Sequence, residues 1–192
     1  KVLEGAVEKL SKLKMGNALD NTSDIGAIIS EEQLKRTLYY MDIAKKNSST
    51  KILHGGNQSK GGEYKDGFYY EPTLLSGLPV SSPVCQEEVF GPVACAIPFK
   101  SFDEVMKSAN DTQFGLSAVL WTKDLSRALQ FVDEIEAGFV QVNQCVAPRA
   151  NVSYGGIKMS GLGKEYAFDS MMNHFTQSKT VLINRGKSNI DV

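Results

Sequence analysis

From Val93 to Asn143 the chain alternates short apolar runs with amphipathic stretches. VACAIPF (93–99) is followed by Ser101-Phe102-Asp103-Glu104, a helix-opening pattern that puts Val105, Met106 and Ala109 on one face. LSAVLWT comes next, then Leu125, Ala128, Leu129, Val132 and Ile135 at helical spacing, then Gly138 and the run FVQVN. Strand, helix, strand, helix, strand over short connections constrains the fold strongly. Parallel neighbours cannot be joined by a tight turn, so each helix has to carry the chain back across the sheet with a right-handed crossover. The expected class is α/β, a parallel sheet with βαβ crossovers, its strands apolar throughout because helices cover both faces. In such sheets ligands gather beyond the carboxyl ends of the strands, which directs attention to the loop after FVQVN and to the turn around Glu88.

The flanks are read the same way. Val2, Leu3, Ala6, Val7, Leu10 and Leu13 mark an opening helix that ends near Gly16-Asn17 and has no capping residue before it, as expected of a piece of a longer chain. Ser30 and Gln33 form a capping-box pattern ahead of Leu34, Leu38, Met41 and Ala44. KILHGG and GFYYEPTLL are strand candidates, and YGGIKMSGLGKE packs Gly155, Gly156, Gly161 and Gly163 into one loop. A helical stretch, EYAFDSMMNHF, precedes a strand-like run from Ser178 to Asn184 and a polar end.

Composition narrows the function. A net charge of -1 with scattered basic residues provides no footprint for nucleic acid. No apolar run approaches the roughly 18 residues of a membrane span. Cys85, Cys95 and Cys145 make an odd set without CxxC spacing, and with His54 and His174 the only histidines neither a disulfide framework nor a metal site is indicated. The expected setting is reducing and cytoplasmic.

QEEVFGPV, GLSAVLWTKD, FVQVN and YGGIKMSGLGKE, in this order with helices between them, resemble the C-terminal part of an NAD(P)-dependent aldehyde dehydrogenase. The resemblance runs from the first helix to SKTVLIN. It implies residues 1–160 as the later portion of a catalytic domain and 161–192 as a tail carrying an oligomerisation strand. It also implies oxidation of an aldehyde to a carboxylic acid through a cysteine thiohemiacetal and thioester, with NAD or NADP as cofactor. The nucleophile and general base are expected before Lys1, so the segment alone is expected to be inactive. A homo-oligomer, dimer or tetramer, is the implied assembly. A non-catalytic module and an acylating relative stay open as alternatives.

Glu88 and Phe90 are the implied cofactor residues. Taken alone, they read as a solvated acid and a core aromatic. By the resemblance, the Glu88 carboxylate accepts from the hydroxyls of the nicotinamide ribose and Phe90 packs beside the ring, while Glu87 is a bystander. Gly91 and Pro92 serve as scaffolding for the turn. The loop from Asn143 to Tyr154 is implied to line the substrate entrance, with Asn143 as its anchor, Tyr154 facing the channel or packed as a core aromatic of the glycine turn, and Arg149 either a solvated surface arginine, the reading its residue type favours, or a grip for a substrate carboxylate. Cys145 lies too far along the chain to be the nucleophile. Lys164 and Gln177 stand where many members of the family carry Arg and Glu, which puts a charged contact in doubt.

Overall fold

The computed structural model describes residues 1–183, arranged as two compact units that meet at Ser108/Ala109. In the first, α1 (Val2–Leu10) stops earlier than its apolar spacing predicts. The reason is competition for the backbone: Asp24 N–H donates to the Lys14 carbonyl (2.8 Å) and Gly16 N–H to that of Ile25 (2.9 Å), which withdraws residues 14–16 from the helix. Next comes α2 (Glu31–Lys46), capped as expected, the Gln33 N–H donating to Ser30 Oγ at 3.2 Å.

The strands of this unit are β1 (Lys51–His54), β2 (Gln58–Ser59), β3 (Tyr69–Tyr70) and β4 (Thr73–Ser76). The run GFYYEPTLL thus splits into β3 and β4 around Pro72, which has no N–H to offer a ladder. A short α3 (Pro83–Gln86) leads to β5 (Val93–Ala96), and α4 (Phe102–Asn110) reaches the boundary between the units. β5 pairs in parallel with β4, Thr73 opposite Val93, and β1 pairs antiparallel on the other side of β4. One face of α2 packs Leu34, Tyr40, Met41 and Ala44 against Tyr70, Leu75, Leu78, Val84 and Val89. Burial of this set is the main stabilising contribution to the unit, at about 25 cal/mol per Å² of apolar surface.

The second unit contains β6 (Phe114–Gly115), β7 (Ser117–Leu120), α5 (Leu125–Glu134), β8 (Phe139–Val142), β9 (Ile157–Lys158) and α6 (Phe168–Phe175). β7, α5 and β8 form the predicted βαβ unit, with a parallel ladder from Ser117↔Phe139 to Leu120↔Val142. Asp124 caps α5 by accepting from the Arg127 N–H at 3.1 Å. The α/β class therefore stands. The sheets are mixed: among the described strands β4–β5 and β7–β8 pair in parallel, and the remaining pairs of strands are antiparallel.

The apolar stripe of α5 is only half covered, with Ala128 and Phe131 buried while Leu125, Leu129 and Val132 lie exposed. The run from Ser178, expected to pair with strands outside this chain, has no strand partner among the described residues through Ile183, and Val181, Leu182 and Ile183 are exposed; Asn184 lies outside the described residues. Among the described residues no helix is long and apolar enough to cross a membrane.

Candidate functional site

Gln33, Arg36, Thr37 and Tyr40 recur at the i, i+3, i+4, i+7 spacing of one helix face, and in α2 that face carries the turn 87–92. Gln33 Nε2 donates to the carbonyls of Val89 and Phe90, both at 2.9 Å. Arg36 donates to the Glu88 carbonyl from Nε (3.1 Å) and Nη2 (2.7 Å). Tyr40 donates its hydroxyl to Glu87 Oε2 at 2.7 Å. Thr37 is fully buried and fixes the approach distance: a Cβ on Gly91 would sit 2.5 Å from Thr37 Oγ1, so only glycine lets the turn come this close.

Within that frame Val89 is sunk into the core, whereas Glu88 is exposed and Phe90 is 69% exposed. Phe90 holds φ 54, in the left-handed region that a non-glycine residue adopts only when its surroundings impose it. The position in the sheet differs from the expectation. The turn runs into Val93, where β5 begins, and β4 runs parallel to it, so the turn lies at the amino ends of these strands rather than at their carboxyl ends.

The charges divide their work. Glu87, expected to be a bystander, is engaged, and its hydrogen bond raises the Tyr40 hydroxyl pKa, with burial adding to the shift. Arg36 lies 5.5 Å from the Tyr40 ring centroid and spends its guanidinium on the Glu88 backbone and, more weakly, on the Tyr40 hydroxyl at 3.4 Å. The Glu88 carboxylate itself has no hydrogen-bond or ion-pair partner among the described residues. The turn thus presents a free carboxylate two residues from an exposed ring while α2 fixes its backbone from behind.

The second unit presents the other expected residues. Asn143, at φ 54, anchors its loop as expected by bonding both backbone groups of Thr122, each at 2.8 Å. Tyr154 is half-buried; its backbone exchanges hydrogen bonds with Glu165, and its ring packs edge-on against Phe139 (5.1 Å) and Tyr166 (6.1 Å). Arg149 is exposed, and its guanidinium has no partner among the described residues. Lys164 gathers the glycine loop, its ammonium donating to the carbonyls of Gly155 (2.7 Å), Gly156 (3.3 Å) and Gly138 (3.4 Å). Gln177 is exposed.

The thiols are not activated by their surroundings in the first unit. Burial pushes Cys85 up and Cys95 up to about 12, which suppresses the nucleophilic thiolate. Cys145 is exposed. Among the described residues no group of three or more His, Cys, Asp or Glu is placed to hold a metal ion.

The α2 face that holds the turn escaped the sequence reading. Its signal was the polar stripe Gln33, Arg36, Thr37, Tyr40 on an otherwise core-facing helix, which nothing local explains.

Comparison with known proteins gives a family model, the aldehyde dehydrogenase family, matching residues 1–181. Aldehyde dehydrogenase B of Escherichia coli is 38% identical over 181 residues, which are 94% of this chain and 35% of that protein. The crystal structure of a betaine aldehyde dehydrogenase from Staphylococcus aureus in complex with NAD+ superposes with a TM-score of 0.86 at 30% identity, covering 98% of this chain and 37% of that one. A 3,6-anhydro-L-galactose dehydrogenase in complex with NAP superposes with a TM-score of 0.80 at 31% identity, over 85% of this chain and 35% of that one.

Proposed function

The chain belongs to the aldehyde dehydrogenase family, and from that premise we propose that it supplies part of the cofactor and substrate site of an enzyme oxidising an aldehyde to a carboxylic acid with NAD or NADP. It spans about a third of the length of the curated relatives it matches, 35% in the case above, so the activity of the whole protein is itself part of the proposal. The observation that carries the reading is the turn held from behind by α2, with the Glu88 carboxylate free and the Phe90 ring exposed.

The cofactor, when bound, accepts the hydride that leaves the aldehyde carbon. Glu88 accepts hydrogen bonds from ribose hydroxyls, and because Arg36 is engaged with the backbone its carboxylate stays available. Phe90 offers an apolar face to the nicotinamide. Arg149 and Tyr154 belong to the substrate side, the arginine fitted to an aldehyde that also carries a carboxylate. Burial keeps Cys85 and Cys95 protonated, which suits neither to be the nucleophile of the thioester route; that nucleophile and its general base are assigned to residues outside this sequence. Assembly into a homo-oligomer through the tail is supported by the exposure of Val181, Leu182 and Ile183.

The test is cofactor binding and aldehyde-dependent cofactor reduction by the full-length protein, with Glu88→Ala and Phe90→Ala beside the parent. Each substitution is expected to weaken cofactor binding about tenfold or to slow hydride transfer comparably. Parental binding and rates in both would remove the assignment. The 192-residue segment alone is expected to turn over no aldehyde.

A further inference from the structure

Gln33 makes an unusual choice for its place in a helix. Its backbone N–H is already satisfied by Ser30 Oγ at 3.2 Å, and its position three residues after the cap suits a side chain that reaches back to the Ser30 N–H. Instead its amide reaches 56 and 57 residues along the chain, placing Nε2 at 2.9 Å from both the Val89 and the Phe90 carbonyl. These two carbonyls flank the one residue of the turn that sits at φ 54 without being glycine. An α-left phenylalanine is disfavoured by the crowding of its Cβ, and hydrogen bonds to the peptide groups on either side are a direct way to hold it there.

The rest of the turn has different anchors. Arg36 holds the Glu88 carbonyl, Tyr40 holds the Glu87 carboxylate, and Val89 is sunk in the core. None of these contacts is made to the Phe90 peptide. We infer that Gln33 is a positioning residue for the cofactor, setting through its bonds to the Val89 and Phe90 carbonyls the backbone conformation that presents the Phe90 ring. This rests on the reading of Glu88 and Phe90 as cofactor residues. The chemistry assigned to Gln33 is donation by one amide nitrogen to two carbonyls, which neither glutamate nor methionine at that position can supply.

The experiment is a double-mutant cycle on cofactor affinity in the full-length protein, with NAD+ and NADP+ as probes and circular dichroism as the check on folding. Gln33→Met keeps the length and removes the donor, and Phe90→Gly removes both the ring and the conformational penalty at φ 54. Gln33→Met is expected to weaken binding of the preferred cofactor about tenfold when Phe90 is present and to add nothing further when residue 90 is glycine. If Gln33→Met does not fold, Gln33→Asn, which keeps the amide but falls short of the turn, is read in the same way. Parental affinity in the Gln33 variant, or the same loss with and without Phe90, overturns the inference while leaving the cofactor reading in place. Parental affinity in both Glu88→Ala and Phe90→Gly instead overturns the cofactor reading.

Discussion

The side-chain amide of Asn143 pairs with both backbone groups of Thr122, accepting from its N–H and donating to its carbonyl, each at 2.8 Å. The amide thereby lengthens the β7–β8 ladder by one residue, just where Asn143 turns out of the strand at φ 54. Two separable contributions follow, the hydrogen bonds and the tolerance of the left-handed region. Asn143→Gly loses the bonds at about 1 to 2 kcal/mol. Asn143→Ala loses them and adds strain of about 1 kcal/mol. The expected stability order is parent, Gly, Ala, read from urea midpoints by the fluorescence of Trp121, the single tryptophan, which neighbours Thr122. A variant with alanine above glycine would contradict it.

How much of this was legible beforehand divides along sequence distance. The caps at Ser30 and Ser101 and the βαβ unit of β7, α5 and β8 depend on residues a few positions apart, so patterns alone announce them. Glu88 and Phe90 were marked by motif, and both are exposed. The hold of α2 on their turn was not readable, because a glutamine that can complete a capping box and one that reaches a carbonyl far along the chain look alike in sequence. The link from Glu87 to Tyr40 was out of reach for the same reason, the two lying 47 residues apart. The tail from Ser178 has strand composition, yet a strand exists only with a neighbour to bond.

Gly138 should tolerate no side chain. A Cβ there would lie 1.9 Å from the Gly155 carbonyl oxygen and 2.5 Å from Lys164 Nζ, so the glycine loop would have to move away from the start of β8. Gly138→Ala is expected to cost about 3 kcal/mol, at the upper end of overpacking. Lys164→Met, which leaves the space but removes the ammonium from three carbonyls, is expected to cost about 1 to 2 kcal/mol. Thermal unfolding of the two variants against the parent checks both, and equal midpoints for Gly138→Ala and the parent would show that the loop yields freely.

Tyr40→Phe isolates the latch on Glu87. The ring stays in the core and under the Arg36 guanidinium, while the 2.7 Å hydrogen bond to Glu87 and the weaker 3.4 Å one from Arg36 are lost. The expected cost is about 1 kcal/mol in stability. Because Gln33 and Arg36 still hold the turn, cofactor affinity of the full-length protein should change less than twofold. A larger loss of affinity would mean that Glu87, and not the α2 amide and guanidinium, carries the turn.

Alkaline pH should unfold the first unit through groups that burial keeps protonated. Burial raises Cys95 from 9.0 to about 12 and Tyr70 from 10.0 to about 12, and it raises Cys85 as well. Between the unfolded and folded values the unfolded chain has lost protons that the folded chain retains, so stability falls as pH rises. The contribution is complete below about pH 9, where the thiols of the unfolded chain begin to titrate, and is lost as pH climbs through the folded values near 12. Urea midpoints measured from neutral pH upward should therefore be level at first and decline from about pH 9. A Cys85→Ala/Cys95→Ala protein removes the thiol part, leaving the decline to begin with tyrosine about one pH unit higher. An onset that stays put when both thiols are gone would place the alkaline sensitivity elsewhere.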